Sequence, residues 1–217
     1  MKNILNFVRN HPVVIVVIFI LMDCLGYFLY TLYVNDILSS RFFRLGRDRG
    51  YFELIEYIKM GIILGVLSFF YKQTKAPIMR AWFWLIAILL IDNILGVHEA
   101  TGEFIVNLLS PFNTGQLISN SQIQALGELA VFGLIVGFFF LAIIYHYRSS
   151  AVFYKRFSLI FGCTFFATGI LATSVEALAF NKLEEFIEIG GTTALLVVCI
   201  IFYNKSFSAK LTMQPER

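Results

Sequence analysis

The side chains in this chain best suited to chemistry are carboxylates: Asp92, Glu99, Glu128, Glu185 and Glu188, joined by the imidazole of His98. Such a set offers hard oxygen donors and one nitrogen, the ligands that Mg, Ca, Mn or a carboxylate-bridged iron pair accept. At 100° per residue, Gly96, Glu99 and Glu103 fall within about 40° of Asp92, which predicts one acidic stripe on one helix. Glu53 and Glu56 are three positions apart, as are Glu185 and Glu188, so each pair shares a helical face. Glu53, Glu56, Glu103 and Glu176 add supporting negative charge, with Lys59, Arg47 and Arg49 as counter-charges. Two metal chemistries are excluded by residue type. A ferritin-like di-iron site needs two Glu-x-x-His motifs, and the chain has none. A zinc hydrolase built on three histidines fails because His11 and His146 fall at the opposite membrane face from His98.

These acids are embedded in an apolar chain. Of 217 residues, 59% are hydrophobic, 17% aromatic and only 14% charged, with a mean hydropathy of +0.78. Ordinary soluble domains carry about 25% charged residues and about 45–50% apolar ones. A bilayer core takes about 20 apolar residues per helix, and six stretches qualify, at roughly 13–33, 52–71, 81–100, 122–145, 157–180 and 184–203. The predicted fold class is therefore all-α: a polytopic membrane helical bundle of six transmembrane helices, forming a single domain over residues 1–217. Lys2 and Arg9 ahead of the first run have the charge order of a secretory signal, but no small-x-small site follows, so the first span reads as an uncleaved anchor. The 17 bases lie in short clusters between apolar runs rather than along one polar face, so the net charge of +3 argues against nucleic acid as a partner and for membrane lipid.

With the N-terminus cytoplasmic, the inner segments hold Lys2, Arg9, Lys72, Lys75, Arg80, Arg148, Lys155, Arg156, Lys205, Lys210 and Arg217. The outer segments hold Arg41, Arg44, Arg47, Arg49 and Lys182. Eleven bases against five predict both termini inside a bacterial inner membrane. The outer cluster from Arg41 to Arg49, interleaved with Phe42 and Phe43, reads as an interfacial segment or as partners for the acids. On this topology Glu216 is the one cytoplasmic acid, and Asp23 and Asp92 fall near mid-membrane. An ionised carboxylate at the bilayer centre costs ~2.5–3.5 kcal/mol even on lenient insertion scales. The expectation is that Asp92, Glu99, Glu128 and one of Glu185 or Glu188 point into one polar cavity open to the outside, with His98 at its margin.

Internal matches suggest three helical hairpins. Glu53-Leu-Ile-Glu56 aligns with Glu185-Phe-Ile-Glu188, and Glu56, Gly61 and Gly65 have the spacing of Glu128, Gly133 and Gly137. The two GxxxG pairs mark faces for close helix contact, within the chain, with a membrane partner or in a homo-oligomer. Cys24, Cys163 and Cys199 lie inside apolar runs with no CxxC pair and read as buried packing residues.

Asp92-Asn-Ile-Leu-Gly-Val-His98-Glu99, Gly127-Glu128-Leu129 and Leu183-Glu-Glu185-x-x-Glu188 resemble a family of bacterial six-span membrane proteins with D-D-x(4)-I-H-E, G-E-L and E-D-G-G-E stretches. The resemblance covers about residues 80 to 195, and departs from the family pattern at Asn93 and at Phe186-Ile187. It implies a bacterial polytopic protein in which those positions matter, and it names no activity.

Three functions fit the residues. The first is an outward-facing intramembrane carboxylate cluster that binds a divalent metal ion or another cation. The second is a non-catalytic subunit or sensor whose acids and arginines lock the bundle by paired charge. The third is a proton or cation transporter, favoured by Asp23 and Asp92 but lacking acidic steps in the cytoplasmic half and proline breaks within the spans. An intramembrane glutamate protease built on Glu184-Glu185 is disfavoured, because His146 lies at the wrong end.

Overall fold

The computed structural model describes residues 10–45, 50–109, 120–177 and 181–211. Among them the chain is all-α. Helix α1 (Pro12–Val34) opens on a proline, whose missing N–H is unneeded in a first turn. It stops where Asn35 Nδ2 donates to the Thr31 carbonyl at 2.7 Å and Asp36 turns left-handed at φ 57. A 3-10 turn at Arg41–Phe43 leads to α2 (Tyr51–Thr74). Lys75, left-handed at φ 54, and the extended Ala76 before Pro77 end α2 and start α3 (Pro77–Leu95). There follow α4 (Val97–Leu109), α5 (Asn120–Tyr147), α6 (Val152–Ala177) and α7 (Asn181–Leu211).

Six of these helices hold segments long and apolar enough to cross a membrane: Pro12–Val34, Tyr51–Thr74, Pro77–Leu95, Leu129–Tyr147, Val152–Ala172 and Glu185–Ser206. The expected third span needs correction. It does not run on to residue 100, because Gly96 adopts a left-handed conformation at φ 61 and its N–H closes on the Asp92 carbonyl at 2.8 Å, which ends α3. The chain restarts as α4 and stays helical to Leu109, through part of what the sequence suggests is a loop.

The chain divides into two compact units, Met1–Thr74 with Ala151–Arg217, and Lys75–Ser150. In the first, α7 packs against α6, α2 and α1, and α1 packs against α2. Gly191 lets α7 lie close on α6, since a Cβ there would collide with Thr168. Gly26 does the same for α1, where a Cβ would sit 2.6 Å from the Tyr51 ring and 2.8 Å from that of Phe52. Two apolar clusters fill this unit. Tyr30, Leu45, Phe52 and Ile189 form one. The other is aromatic, where Phe70, Phe157, Phe161 and Tyr203 are all fully or almost fully buried, with Phe70 and Phe157 in edge contact at 5.4 Å. In the second unit α5 packs against α4 and α3, and Gly127 of α5 lies against Gly102 and Ile105 of α4.

The glycines of the GxxxG pairs are used differently. A Cβ at Gly61, Gly133 or Gly137 would meet nothing within 4 Å, so these positions mediate no close approach among the described residues. Of the cysteines, Cys199 is buried as expected, whereas Cys24 and Cys163 are exposed on their helices. A thiol is apolar enough to face lipid without cost, so an apolar run does not by itself bury it.

Candidate functional site

Between the two clusters of the first unit lies a polar layer built from α1, α2 and α7. Lys59 is completely buried, and its Nζ lies 2.6 Å from Oδ1 of Asp23, a side chain 20% exposed. Lys59 also donates to the Ile189 carbonyl at 3.3 Å. Thr193 Oγ1 donates to the second carboxylate oxygen of Asp23 at 2.6 Å. The neighbouring residue, Thr192, lies 2.9 Å from Glu56 Oε1, one turn before Lys59 on α2. Tyr51 ties α2 to α1 by donating to the Met22 carbonyl at 3.0 Å, and Tyr57 donates to Glu53 at 2.9 Å.

Helix geometry explains why these groups meet. At 1.5 Å per residue, Asp23 lies about 16 Å from the Val34 end of α1, Lys59 about 12 Å from Tyr51 and Thr193 about 18 Å from Asn181. Comparable depths allow one layer. A lysine on a membrane helix has no water to solvate it, and it needs an anion and further acceptors. Asp23 supplies the anion, and the Ile189 carbonyl supplies a second acceptor. Among the described residues no buried side-chain nitrogen or oxygen lacks a hydrogen-bond partner. The arrangement can hold a fixed ion pair and can donate or accept protons at Glu56 and the threonines.

The sequence-derived site residues are distributed as follows. Asp92 is buried, at 8% exposure, in the last turn of α3. Glu103 is exposed on α4, Glu185 half-buried and Glu188 exposed on α7, and Glu53 and Glu56 half-buried on α2. The side chains of His98, Glu99, Glu128 and Glu176 lie outside the described residues, as do Arg47 and Arg49. The single stripe of Asp92, Glu99 and Glu103 is corrected: the left-handed Gly96 breaks the helical phase, leaving Asp92 on α3 and the two glutamates on α4. Glu128 lies on α5 and Glu176 near the end of α6. Asp92 and Glu128 belong to one unit, and Glu185 and Glu188 to the other. Among the described residues no three His, Cys, Asp or Glu side chains gather into a group that would hold a metal ion. The proposed repeat partners also differ in surroundings, since Glu56 meets Thr192 whereas Glu188 is exposed.

Asp23, Thr192 and Thr193 were absent from the sequence-derived site. One signal pointed to them: Lys59 is the base that falls inside an apolar run, and such a base requires an acid at matching depth on another span.

Six apolar helices and a buried, fully satisfied charge layer define a multi-pass membrane protein. In comparisons with known proteins, no family model, no curated protein and no solved structure matches the chain.

Proposed function

We propose that the protein is a non-catalytic subunit or sensor of the bacterial inner membrane, with both termini cytoplasmic, in which paired charge fixes the packing of α1, α2 and α7. The observation that carries this reading is the completely buried Lys59, 2.6 Å from Asp23. Burial of apolar area drives no association between helices in lipid, so packing, hydrogen bonds and ion pairs select their arrangement. An ion pair satisfied in a single rotational setting of three helices supplies that selection. Beyond Lys59, α2 buries the apolar side chains of Ile63, Val66, Leu67 and Phe70, which favours a lock over a conducting path. The orientation is supported by eleven bases against five, and the bacterial source by the resemblance to six-span proteins. Membrane lipid covers the apolar helix surfaces, and the open positions Gly61, Gly133 and Gly137 are the places for a second copy or a membrane partner.

The test is proton and cation flux in liposomes containing the purified protein, alongside unfolding of Lys59 and Asp23 variants. Absence of flux with strong coupling between the two positions supports the lock. Flux lost in Asp23→Asn at unchanged stability would replace it with transport.

A second reading is a divalent-cation site within the second unit, at Asp92 with His98, Glu99 and Glu128. The burial of Asp92 favours it. Metal analysis of detergent-purified protein decides it: close to one divalent ion per chain, lost in Asp92→Asn, establishes the site, and metal-free protein removes it.

A further inference from the structure

The segment that joins α1 to α2 carries positive charge that the polar layer does not use. In its 3-10 turn the Arg44 N–H donates to the Arg41 carbonyl at 3.0 Å, and Ser40 Oγ accepts from the Phe42 N–H at 3.4 Å. Such a turn repeats every three residues, so side chains three positions apart eclipse. Arg44 keeps the φ of the turn, at −68, and departs from it only through its ψ of 130. Its side chain therefore leaves the same edge as that of Arg41. Both arginines are exposed. Neither guanidinium has an ion pair among the described residues, so neither serves as the partner of a described acid.

The turn is fixed at one level of the fold. Leu45, directly after Arg44, is buried against Tyr30 of α1, Phe52 of α2 and Ile189 of α7. The rings of Phe42 and Phe43 lie against Tyr51, with centroids 6.3 and 6.0 Å away. Around the two arginines, large apolar side chains face outward: Val34 at 50% exposure, Ile37 at 68% and Phe42 at 37%. Exposed apolar groups interleaved with exposed guanidinium groups, at the ends of two membrane-length helices, are what a membrane–water interface accommodates. A surface that met only water would leave Val34, Ile37 and Phe42 without cover.

The anion that lies at this level is the phosphate of a phospholipid. A guanidinium group is a planar fork of N–H donors that matches two phosphate oxygens, and two such forks on one edge bring two positive charges to one headgroup. A zwitterionic headgroup would set its own cation against them, whereas an anionic one would not.

We propose that Arg41 and Arg44 form a binding site for the phosphate of an anionic phospholipid, with Phe42 lying among the acyl chains beside that headgroup. The site depends neither on the charge lock nor on the orientation of the chain.

The experiment uses the purified full chain in phosphatidylcholine vesicles, with a fluorophore on Ser39→Cys in a background without the native cysteines. Quenching is compared between dilute nitroxide-labelled phosphatidylglycerol and dilute nitroxide-labelled phosphatidylcholine. Stronger quenching by the anionic lipid is expected, with the preference falling about fivefold for each arginine removed in Arg41→Gln and Arg44→Gln. Salt is expected to weaken it. Arg148→Gln, which removes an exposed base far along the sequence, is expected to leave it unchanged. Equal quenching by the two lipids, a preference that survives the double substitution, or an equal loss in Arg148→Gln would overturn the site. Inorganic phosphate that abolishes the preference, where chloride at the same ionic strength does not, would replace the lipid with a soluble anion. Quenching by labelled phosphatidylcholine shows in every variant that the turn still lies at the bilayer. The lock is judged by the stability of Lys59 and Asp23 variants, so failure of either reading leaves the other readable.

Discussion

Asp23 and Thr193, 170 positions apart, are joined by a 2.6 Å hydrogen bond, and Lys59 holds the other oxygen of the same carboxylate. One side chain of α1 thereby engages both α2 and α7. Removing either charge leaves its partner unpaired in this layer, and that asymmetry governs what substitution will do.

Lys59→Met and Asp23→Leu are each expected to cost about 3–5 kcal/mol, because each leaves a buried charge without its partner. The double variant should lie within about 1 kcal/mol of wild type, or above it, since a well-packed apolar pair carries no desolvation cost. Unfolding in detergent, followed for all four proteins, measures the coupling. Additive losses in the double variant would show that the two charges do not act as a pair.

Gly191→Ala is expected to destabilise the chain by about 1–3 kcal/mol, since the new methyl group collides with Thr168 and must push α6 from α7. Combining it with Thr168→Ala should recover most of the loss. Gly61→Ala, whose methyl group meets open space, should change stability by no more than about 0.5 kcal/mol. The same unfolding assay ranks all three, and equal effects of Gly191→Ala and Gly61→Ala would contradict the packing described.

Gly96→Ala places a side chain in a left-handed backbone and is expected to cost about 1–2 kcal/mol, with Gly96→Asn costing less. The check is thermal unfolding of the two variants. If both match wild type, α3 and α4 are not separated by this residue.

Orientation is read by cysteine labelling in whole cells, in a background without Cys24, Cys163 and Cys199. A cysteine replacing Gly115 is expected to react with an impermeant reagent, and one replacing Ser150 to stay protected. The reverse pattern would invert the topology.

Membrane-length helices and, within a few residues, the places of most of them are legible in the order of the residues alone. Apolar content over some twenty residues is a local sum, and Pro12, Pro77 and Gly96 act on the backbone where they stand. The third span ends short of residue 100 because the helical phase breaks at Gly96, a residue whose left-handed state only the folded backbone reveals. Which acid answers Lys59 was beyond the sequence. Asp23, Glu56 and Asp92 all fall within apolar runs, and choosing among them requires the rotation of each helix and the identity of its neighbours. Tertiary structure decided it by setting α7 against both α1 and α2, which brings Thr192 to Glu56 and Thr193 to Asp23. Hydropathy adds along the chain, whereas an ion pair needs specific atoms within about 3 Å of one another, and packing alone fixes that distance.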